Sequence, residues 1–235
     1  MIENAKYLLK MAKKVETEII SISNPAEDYY VVKLKKDPNF TWRAGEHAIF
    51  RLPDKEIEGD KQRVFSIASV PREGHILLGM RTGANASSFK KTLLAMKPGE
   101  KVTMAGPYGG FRIKDNTTPM VLYASGVGIT PIRSILTELE SNKRHAIEVV
   151  YASNGHYLFE EDLEWLAMGN PRINIHKTRG IEETQAKLKE FATLYGNMAY
   201  YYISGSPGVI DSVTKLYKEM GIFNARIISD NMKGY

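Results

Sequence analysis

Short hydrophobic segments separated by turn sequences make up the first half of the chain. Six segments are rich in Val, Ile and aromatic residues, and the pairs between them, such as Asp37-Pro38 and Pro98-Gly99, are typical of turns. This pattern predicts strands at Val15–Ser21, Tyr29–Leu34, His47–Leu52, Arg63–Ala68, His75–Arg81 and Lys101–Ala105. One helix is expected at Ser87–Met96, with Asn85 or Ser87 as its N-cap. Six short strands at this spacing favour an antiparallel β-barrel.

In the second half, apolar segments alternate with amphipathic ones. Strands are predicted at Met120–Ala124, Ile147–Tyr151, Ile173–Lys177, Ala199–Ile203 and Ala225–Ser229. Helices are predicted at Pro131–Glu140, Glu160–Ala167, Glu182–Leu194 and Pro207–Met220. Alternation of strands and helices indicates a doubly wound parallel sheet, which binds its ligand at the carboxyl ends of the strands. We therefore expect a six-stranded barrel domain at residues 1–115 and an α/β nucleotide-binding domain at residues 116–235.

Composition narrows the possible classes of protein. The 235 residues include no cysteine, which excludes disulfides, thiolate zinc sites, cysteine-held iron–sulfur clusters and cysteine nucleophiles. The five histidines have no metal-ligand spacing, so no metal site is expected. Apolar runs such as Ala199–Ile203 are too short to span a bilayer, and the lysines of residues 1–14 are interspersed with apolar residues, unlike a signal peptide. We therefore expect a cytoplasmic protein.

Positive charge is concentrated in the first half of the chain. The net charge is +5; there are 20 basic and 14 acidic residues up to Asp115, and 12 basic and 13 acidic residues after it. This excess indicates either an ordinary solvated surface or a surface for an anionic ligand or an acidic protein. Nucleic acid is a poor candidate, because no dense run of Lys and Arg contains interleaved aromatic residues.

Two glycine-containing turns lie between a predicted strand and a predicted helix. Gly126-Val127-Gly128 follows the first strand of the second half, and the helix after it is expected to begin at Pro131. Such a turn directs backbone N–H groups and the positive helix end towards a phosphate. The second turn is Ser204-Gly205-Ser206-Pro207-Gly208. Either turn is also compatible with a purely structural role, but two in one domain favour a shared phosphate-bearing nucleotide.

Candidate ligand contacts also occur in the barrel half. Alternation along Arg63–Ser69 places Arg63, Phe65, Ile67 and Ser69 on one strand face, and Val64, Ser66 and Ala68 on the other. This segment is either an ordinary half-buried strand or a ligand site in which Arg63 holds a phosphate, Phe65 lies near a ring and Ser66 donates a hydrogen bond. Arg81, with the N–H groups and hydroxyls of Ser87 and Ser88, is a candidate for a second phosphate.

The order of these motifs resembles the ferredoxin–NADP reductase superfamily. The motifs are Arg63-x-Phe65-Ser66-x-x-Ser69, Gly106-Pro107-Tyr108-Gly109, Gly126 to Pro131 and Gly205-Ser206-Pro207, and the match runs from about Val15 to Tyr235. The resemblance implies FAD, rather than FMN, on the barrel and NADPH or NADH on the second domain. It also implies an NAD(P)H-dependent flavoprotein reductase, with an acidic acceptor such as ferredoxin or flavodoxin.

The resemblance also assigns roles to individual residues. It implies that Arg63 binds the flavin phosphate, that Phe65 packs on the isoalloxazine and that Ser66 hydrogen-bonds flavin N5. The segment around the FAD pyrophosphate contains Met80, Arg81, Ser87 and Ser88. The NAD(P) pyrophosphate loop contains Gly126, Val127, Gly128, Thr130 and Pro131, with Gly205, Ser206 and Pro207 as the second turn.

Further assignments concern the coenzyme and the reacting rings. Thr178 and Arg179 lie where some members bind the 2′-phosphate of NADPH, and Tyr235 ends the segment that approaches the flavin. Ser66, Ser204 and Asp230 are the expected catalytic residues, although many members have Cys at the position of Ser204. Two alternatives remain open, namely a free-flavin or ferric reductase and a non-enzymatic flavin-binding electron-transfer or regulatory subunit.

Overall fold

A computed structural model describes residues 13–83 and 86–230. The expectations for Asn85, for Tyr235 and for residues 1–12 therefore lie outside the described residues. The chain divides into two compact units between Gly110 and Phe111.

Six antiparallel strands form the sheet of the first unit. They are β1 (Lys13–Ala26), β2 (Tyr29–Lys35), β3 (His47–Arg51), β4 (Gln62–Ser66), β5 (His75–Arg81) and β6 (Lys101–Tyr108), in the spatial order β4-β3-β6-β1-β2-β5. The strands alternate between buried and accessible residues; in β2, for example, Val32 and Leu34 are buried and Lys35 is exposed. This alternation places one face of the sheet in the core.

The segment after β4 closes the sheet against β5. The Ala68 N–H donates to the Leu77 carbonyl at 2.8 Å, and the Leu77 N–H donates to Ser69 Oγ at 3.0 Å. The predicted strand Arg63–Ala68 is therefore wrong at its end, because the chain leaves the β3 pairing after Ser66. The expected alternation also fails there, since Ile67, Ala68 and Ser69 are all fully buried.

One helix lies within the first unit, at α1 (Ser88–Ala95). Its N-cap is Ser87, whose Oγ accepts the N–H of Lys90 at 3.3 Å. Phe89 and Leu93, four residues apart on one helix face, are buried in the barrel core. These two side chains thereby anchor α1 to the barrel core.

The second unit is a five-stranded parallel sheet with helices between its strands. The strands are β7 (Met120–Ser125), β8 (Ile147–Ala152), β9 (Ile173–Thr178), β10 (Tyr200–Ser204) and β11 (Ile227–Ser229), in the order β11-β10-β7-β8-β9. The helices are α2 (Ile129–Glu138), α3 (Glu160–Gly169), α4 (Ile181–Tyr195) and α5 (Pro207–Glu219). The predicted fold class is confirmed for both units.

Strand order places a switch point between β7 and β10. The chain runs from β7 outward to β8 and β9, then returns to the other side of β7 for β10 and β11. In doubly wound sheets the ligand crevice lies at this point, beyond the carboxyl ends of the strands. Both glycine turns follow the strands that flank it. Among residues 13–83 and 86–230, no helix is long and apolar enough to cross a bilayer.

Element boundaries in the second unit differ from the prediction by at most two residues, and the starts of α2 and β11 have a clear structural reason. Helix α2 begins at Ile129, two residues before Pro131, because residues 126–128 already form a 3-10 turn that leads into it. Pro131 remains in the first helical turn, where N–H groups have no intrahelical partner. Strand β11 begins at Ile227 instead of Ala225, since Asn224–Arg226 also form a 3-10 turn.

Candidate functional site

Two cationic side chains lie near each other at the start of α1. Arg63 is ion-paired with the exposed Asp60 at 3.1 Å, and one of its N–H groups donates to the Gln62 carbonyl at 2.9 Å. Burial and the nearby positive charge of Arg63 lower the pKa of Lys90 below its ordinary value. An anion bound between them would relieve this repulsion. The start of α1 adds backbone N–H groups that favour the same charge.

Lys90 is a candidate that the sequence analysis did not identify. It lies in the first turn of α1, where the helix dipole favours acidic residues and where this helix has none. A lysine in a first helical turn that has no acidic residue indicates an anion-binding position, and an analysis of helix charge could have identified it. Its Nζ donates to the carbonyl of Arg81 at 2.9 Å.

The other predicted phosphate contacts are less available. The Nε of Arg81 already donates to both carboxylate oxygens of Asp28, at 3.0 and 2.9 Å. Met80 is 1% exposed and its side chain belongs to the barrel core, so only its backbone is left for a ligand. Ser88 accepts the N–H of Glu58 at 3.2 Å and lines a cavity of about 590 Å³.

Phe65 and Ser66 lie at the end of β4. The Phe65 ring packs between Phe50 and Phe89, with centroid distances of 5.7 and 6.3 Å, and is only 8% exposed. Contact between this ring and a flavin stays a prediction, and only a small part of its surface is accessible for it. Ser66 is buried and lies directly opposite His47 in the pairing of β3 with β4.

His47 has an unusual environment that the sequence analysis did not single out. Its Nδ1 is buried and has no hydrogen-bond partner among the described residues. Gly109, with φ of +111°, lies so close that a Cβ there would approach Nδ1 to 2.9 Å. A buried polar atom without a partner is costly unless a ligand or water satisfies it. His47 therefore marks a polar position beside Ser66 that a ligand group would complete.

We expect His47 to reduce stability in acid. Burial lowers its pKa in the folded chain, whereas the unfolded chain takes up the proton near the ordinary value of 6.5. The unfolded state thus binds more protons below about pH 6.5, and the free energy of unfolding falls as the pH falls. His47→Gln should lose less stability between pH 7.5 and 5.5 than the unsubstituted protein.

Urea denaturation at several pH values tests this expectation. Fluorescence of Trp42, which is buried in the barrel core, reports on the unit that contains His47, whereas Trp165 is exposed on α3. Equal losses of unfolding free energy in the two proteins would contradict the assignment.

In the second unit, the two glycine turns lie side by side. Strands β7 and β10 are neighbours, with Ala124 opposite Ser204. A Cβ on Gly128 would lie 2.3 Å from the carbonyl oxygen of Ser204, so only glycine permits this approach. Thr130 donates to the Val127 carbonyl at 2.7 Å and fixes the turn that leads into α2. The Ile129 N–H closes this turn onto the carbonyls of Gly126 and Val127. The start of α2 thus lies directly after the switch-point strand β7, the position at which helix starts of doubly wound sheets bind anions favourably.

Ser204 and Asp230 lie next to this pair of turns. The hydroxyl of Ser204 donates to Asp230 Oδ2 at 3.1 Å, and both residues are buried. The Asp230 N–H donates to the Ile203 carbonyl at 2.9 Å. Ser206 is the exposed N-cap of α5 and Pro207 is the first residue of that helix, which places a second helix N-terminus at the same edge.

A charged cavity of about 500 Å³ lies beyond the carboxyl ends of β8 and β9. It is lined by Gly155, His156, Tyr157, Glu160, Lys177, Arg179 and Glu183. Thr178 is buried, and its hydroxyl is hydrogen-bonded to that of Thr184 at 2.9 Å. Of the predicted pair Thr178 and Arg179, only Arg179 therefore lines the cavity. Glu160 and Glu183 were not anticipated as ligand contacts.

Comparison with known proteins identifies solved structures that have the same fold as this chain. No family model matches the chain. Solved structures with the same fold include the ferredoxin–NADP⁺ reductase of Plasmodium falciparum, with a TM-score of 0.78 and 19% identity over 95% of this chain and 97% of that one. The cytochrome b5 reductase domain of Ulva prolifera nitrate reductase has a TM-score of 0.77 and 18% identity over 92% and 97%. These solved structures show that the chain has the fold of such reductases, with an antiparallel barrel unit and a parallel α/β unit.

Curated relatives of similar sequence are subunits F of a Na⁺-translocating NADH-quinone reductase. The protein of Klebsiella pneumoniae is 25% identical over 94% of this chain and 68% of its own length. That of Neisseria meningitidis is 28% identical over 73% of this chain and 49% of its own length. The chain thus spans between half and two thirds of the length of these relatives.

The superfamily motifs that the sequence analysis identified are all at strand ends or helix starts. The Arg63-x-Phe65-Ser66 motif ends β4, and the Gly106 motif ends β6 next to His47. The Gly126 and Gly205 motifs follow β7 and β10 at the switch point. The structure thus brings the two glycine turns together with Ser204 and Asp230, and Arg63 together with Lys90 and Ser87.

Proposed function

We propose that the chain is a flavoprotein oxidoreductase that takes hydride from NADPH or NADH onto bound FAD and passes electrons onward to an acceptor. The observation that carries this proposal is that each unit brings together groups suited to an anion. In the first unit these are Arg63, Lys90 and the start of α1, and in the second unit they are the paired turns after β7 and β10.

The residues of the first unit fit a flavin nucleotide. Arg63, Lys90 and the N–H groups near Ser87 would hold the phosphates of FAD. The unpartnered Nδ1 of His47 and the hydroxyl of Ser66 would meet polar atoms of the ring system. When bound, the flavin supplies chemistry that accepts two electrons together and releases them singly.

The residues of the second unit fit a nicotinamide dinucleotide. The turn at Gly128 and the start of α2 would hold the pyrophosphate, because a turn between a buried strand and a helix directs the positive helix end at a phosphate. Ser204, held by Asp230, would orient the nicotinamide. Hydride transfer needs no strong acid or base, so we assign these residues to positioning of the reacting atoms.

The positive charge of the first half of the chain is the basis for the proposed electron acceptor. The basic half of the chain suits an acidic electron-transfer protein such as a ferredoxin or flavodoxin, because opposite charge speeds encounter. The sequence relatives favour a second candidate, in which the chain acts within a quinone-reducing complex. A steep loss of electron-transfer rate with added salt supports the first candidate. A cytoplasmic location is part of the proposal.

An anaerobic absorbance titration tests the function directly. We expect the purified protein to bind FAD and the flavin absorbance to bleach when NADH or NADPH is added. A protein that binds neither FAD nor FMN would overturn the proposal. A flavin-bound protein that neither nucleotide reduces would instead support a non-enzymatic electron-transfer subunit.

A further inference from the structure

The cavity at the ends of β8 and β9 lies beside the proposed dinucleotide site. In the sheet order, β8 is the neighbour of β7, and β9 is the next strand outward. The turn at Gly126–Gly128 follows β7, so a pyrophosphate held there leaves one nucleoside to extend along this edge of the sheet. Tyr157 and its neighbours offer a cavity of about 500 Å³ for that nucleoside.

The charges in this cavity are balanced rather than positive. The Lys177 ammonium is ion-paired with the carboxylates of both Glu160 and Glu164, the latter at 2.7 Å. The Glu183 carboxylate is held at the same cavity, since its Oε2 accepts the backbone N–H of Arg179 at 2.6 Å. Besides His156, the charged lining thus consists of two basic side chains and two carboxylates, and Glu164 adds a third negative charge at Lys177. No surplus of positive charge remains for a strongly anionic group.

The two nicotinamide coenzymes differ only at the 2′ position of the adenosine ribose. NADH has a hydroxyl there and NADPH a phosphate, which carries a charge of about −1.5 to −2 at neutral pH. A carboxylate accepts a hydrogen bond from the hydroxyl and repels the phosphate. Thr178 does not offset this repulsion, because its hydroxyl is bonded to Thr184 inside the unit.

We infer that Glu160 and Glu183 make this cavity select an adenosine with a free 2′-hydroxyl, and therefore select NADH over NADPH. The inference rests on the proposed function, because it takes the hydride donor to be a nicotinamide dinucleotide. It replaces the expectation that Thr178 and Arg179 bind a 2′-phosphate. Arg179 remains at the cavity, but with the Glu183 carboxylate beside it.

Binding of two adenosine fragments to the full chain tests the inference without any redox step. Calorimetric titration compares 5′-AMP with adenosine 2′,5′-bisphosphate. We expect 5′-AMP to bind at least about tenfold more tightly. The double variant Glu160→Gln/Glu183→Gln should reduce this ratio by about tenfold. The matched control is Glu161→Gln/Glu182→Gln, whose residues are exposed in the first turns of the same two helices and do not line the cavity.

Three results would overturn the inference: tighter binding of the bisphosphate to the unsubstituted protein, equal changes in the two double variants, or no binding of either fragment. Measurements of kcat/KM with NADH and NADPH should follow the same order as the fragments. A preference for 5′-AMP in a protein whose flavin neither coenzyme reduces would support the selectivity of the cavity and overturn the reductase proposal. The two failures are therefore distinguishable.

Discussion

Replacement of Gly128 by alanine is expected to lower the free energy of unfolding by about 3 kcal/mol, because the new methyl group cannot fit. Its carbon would lie 2.3 Å from the oxygen and 2.6 Å from the carbon of the Ser204 carbonyl group. These are backbone atoms of β10, which pairs with both β7 and β11, so they cannot move aside without disturbing the sheet. Dinucleotide binding should weaken as well, since the two turns would be forced apart.

Gly208→Ala is the matched control for this change. Gly208 lies in the first turn of α5, next to the second turn, and a Cβ there meets no atom within 4 Å. Urea unfolding followed by circular dichroism gives the stability of both variants, and hydrogen exchange in β7 and β10 locates the damage. A Gly128→Ala protein as stable as Gly208→Ala, with normal binding of NADH, would show that the turns tolerate separation.

Arg63→Met is expected to raise the dissociation constant for FAD by about 100-fold, because it removes a partly buried cation from the proposed phosphate site. Only about a fifth of the Arg63 side chain is accessible, and its ion-pair partner Asp60 is largely exposed. The partner of Arg63 is thus a solvent-exposed carboxylate, which an anionic ligand could displace. Lys90→Met should have a smaller effect in the same direction, of about tenfold.

The control for Arg63 is Arg51→Met on the neighbouring strand. Arg51 is exposed, and its guanidinium is hydrogen-bonded to the side chain of Gln62 at 2.7 and 2.9 Å. Quenching of flavin fluorescence on titration of flavin-free protein gives the dissociation constants. An Arg63→Met protein that retains stoichiometric FAD would rule out the phosphate role of this residue.

Most of the fold could be predicted from the sequence because its elements follow simple periodic patterns. Strands such as β2 alternate in burial, and β7 and β8 are continuous apolar runs typical of a buried parallel sheet. The end of strand β4 was predicted two residues too late, at Ala68 instead of Ser66, for a different reason. Ala68 and Ser69 are hydrogen-bonded to β5, whereas Ile67 donates to the Glu46 carbonyl, and these pairings depend on residues outside the segment.

The candidate site was only partly predictable, because a motif shows which residues are present but not how each side chain is used. Thr178 and Arg179 are adjacent in sequence, yet one is buried against Thr184 and the other lines the cavity. The roles of Lys90 and Glu183 depend on neighbours brought close by folding, namely Arg63 and the backbone of Arg179. No local pattern contains that information.

The packing of Phe65 against Phe89 links binding of the proposed cofactor to the stability of the folded barrel. Phe89 precedes Lys90 in α1, so the helix that offers a cation to the ligand is also held by the core aromatic at the end of β4. A ligand that binds only the folded chain stabilises it by mass action. Binding of the proposed flavin would therefore raise the free energy of unfolding of the first unit, and the protein without its cofactor would be the less stable form.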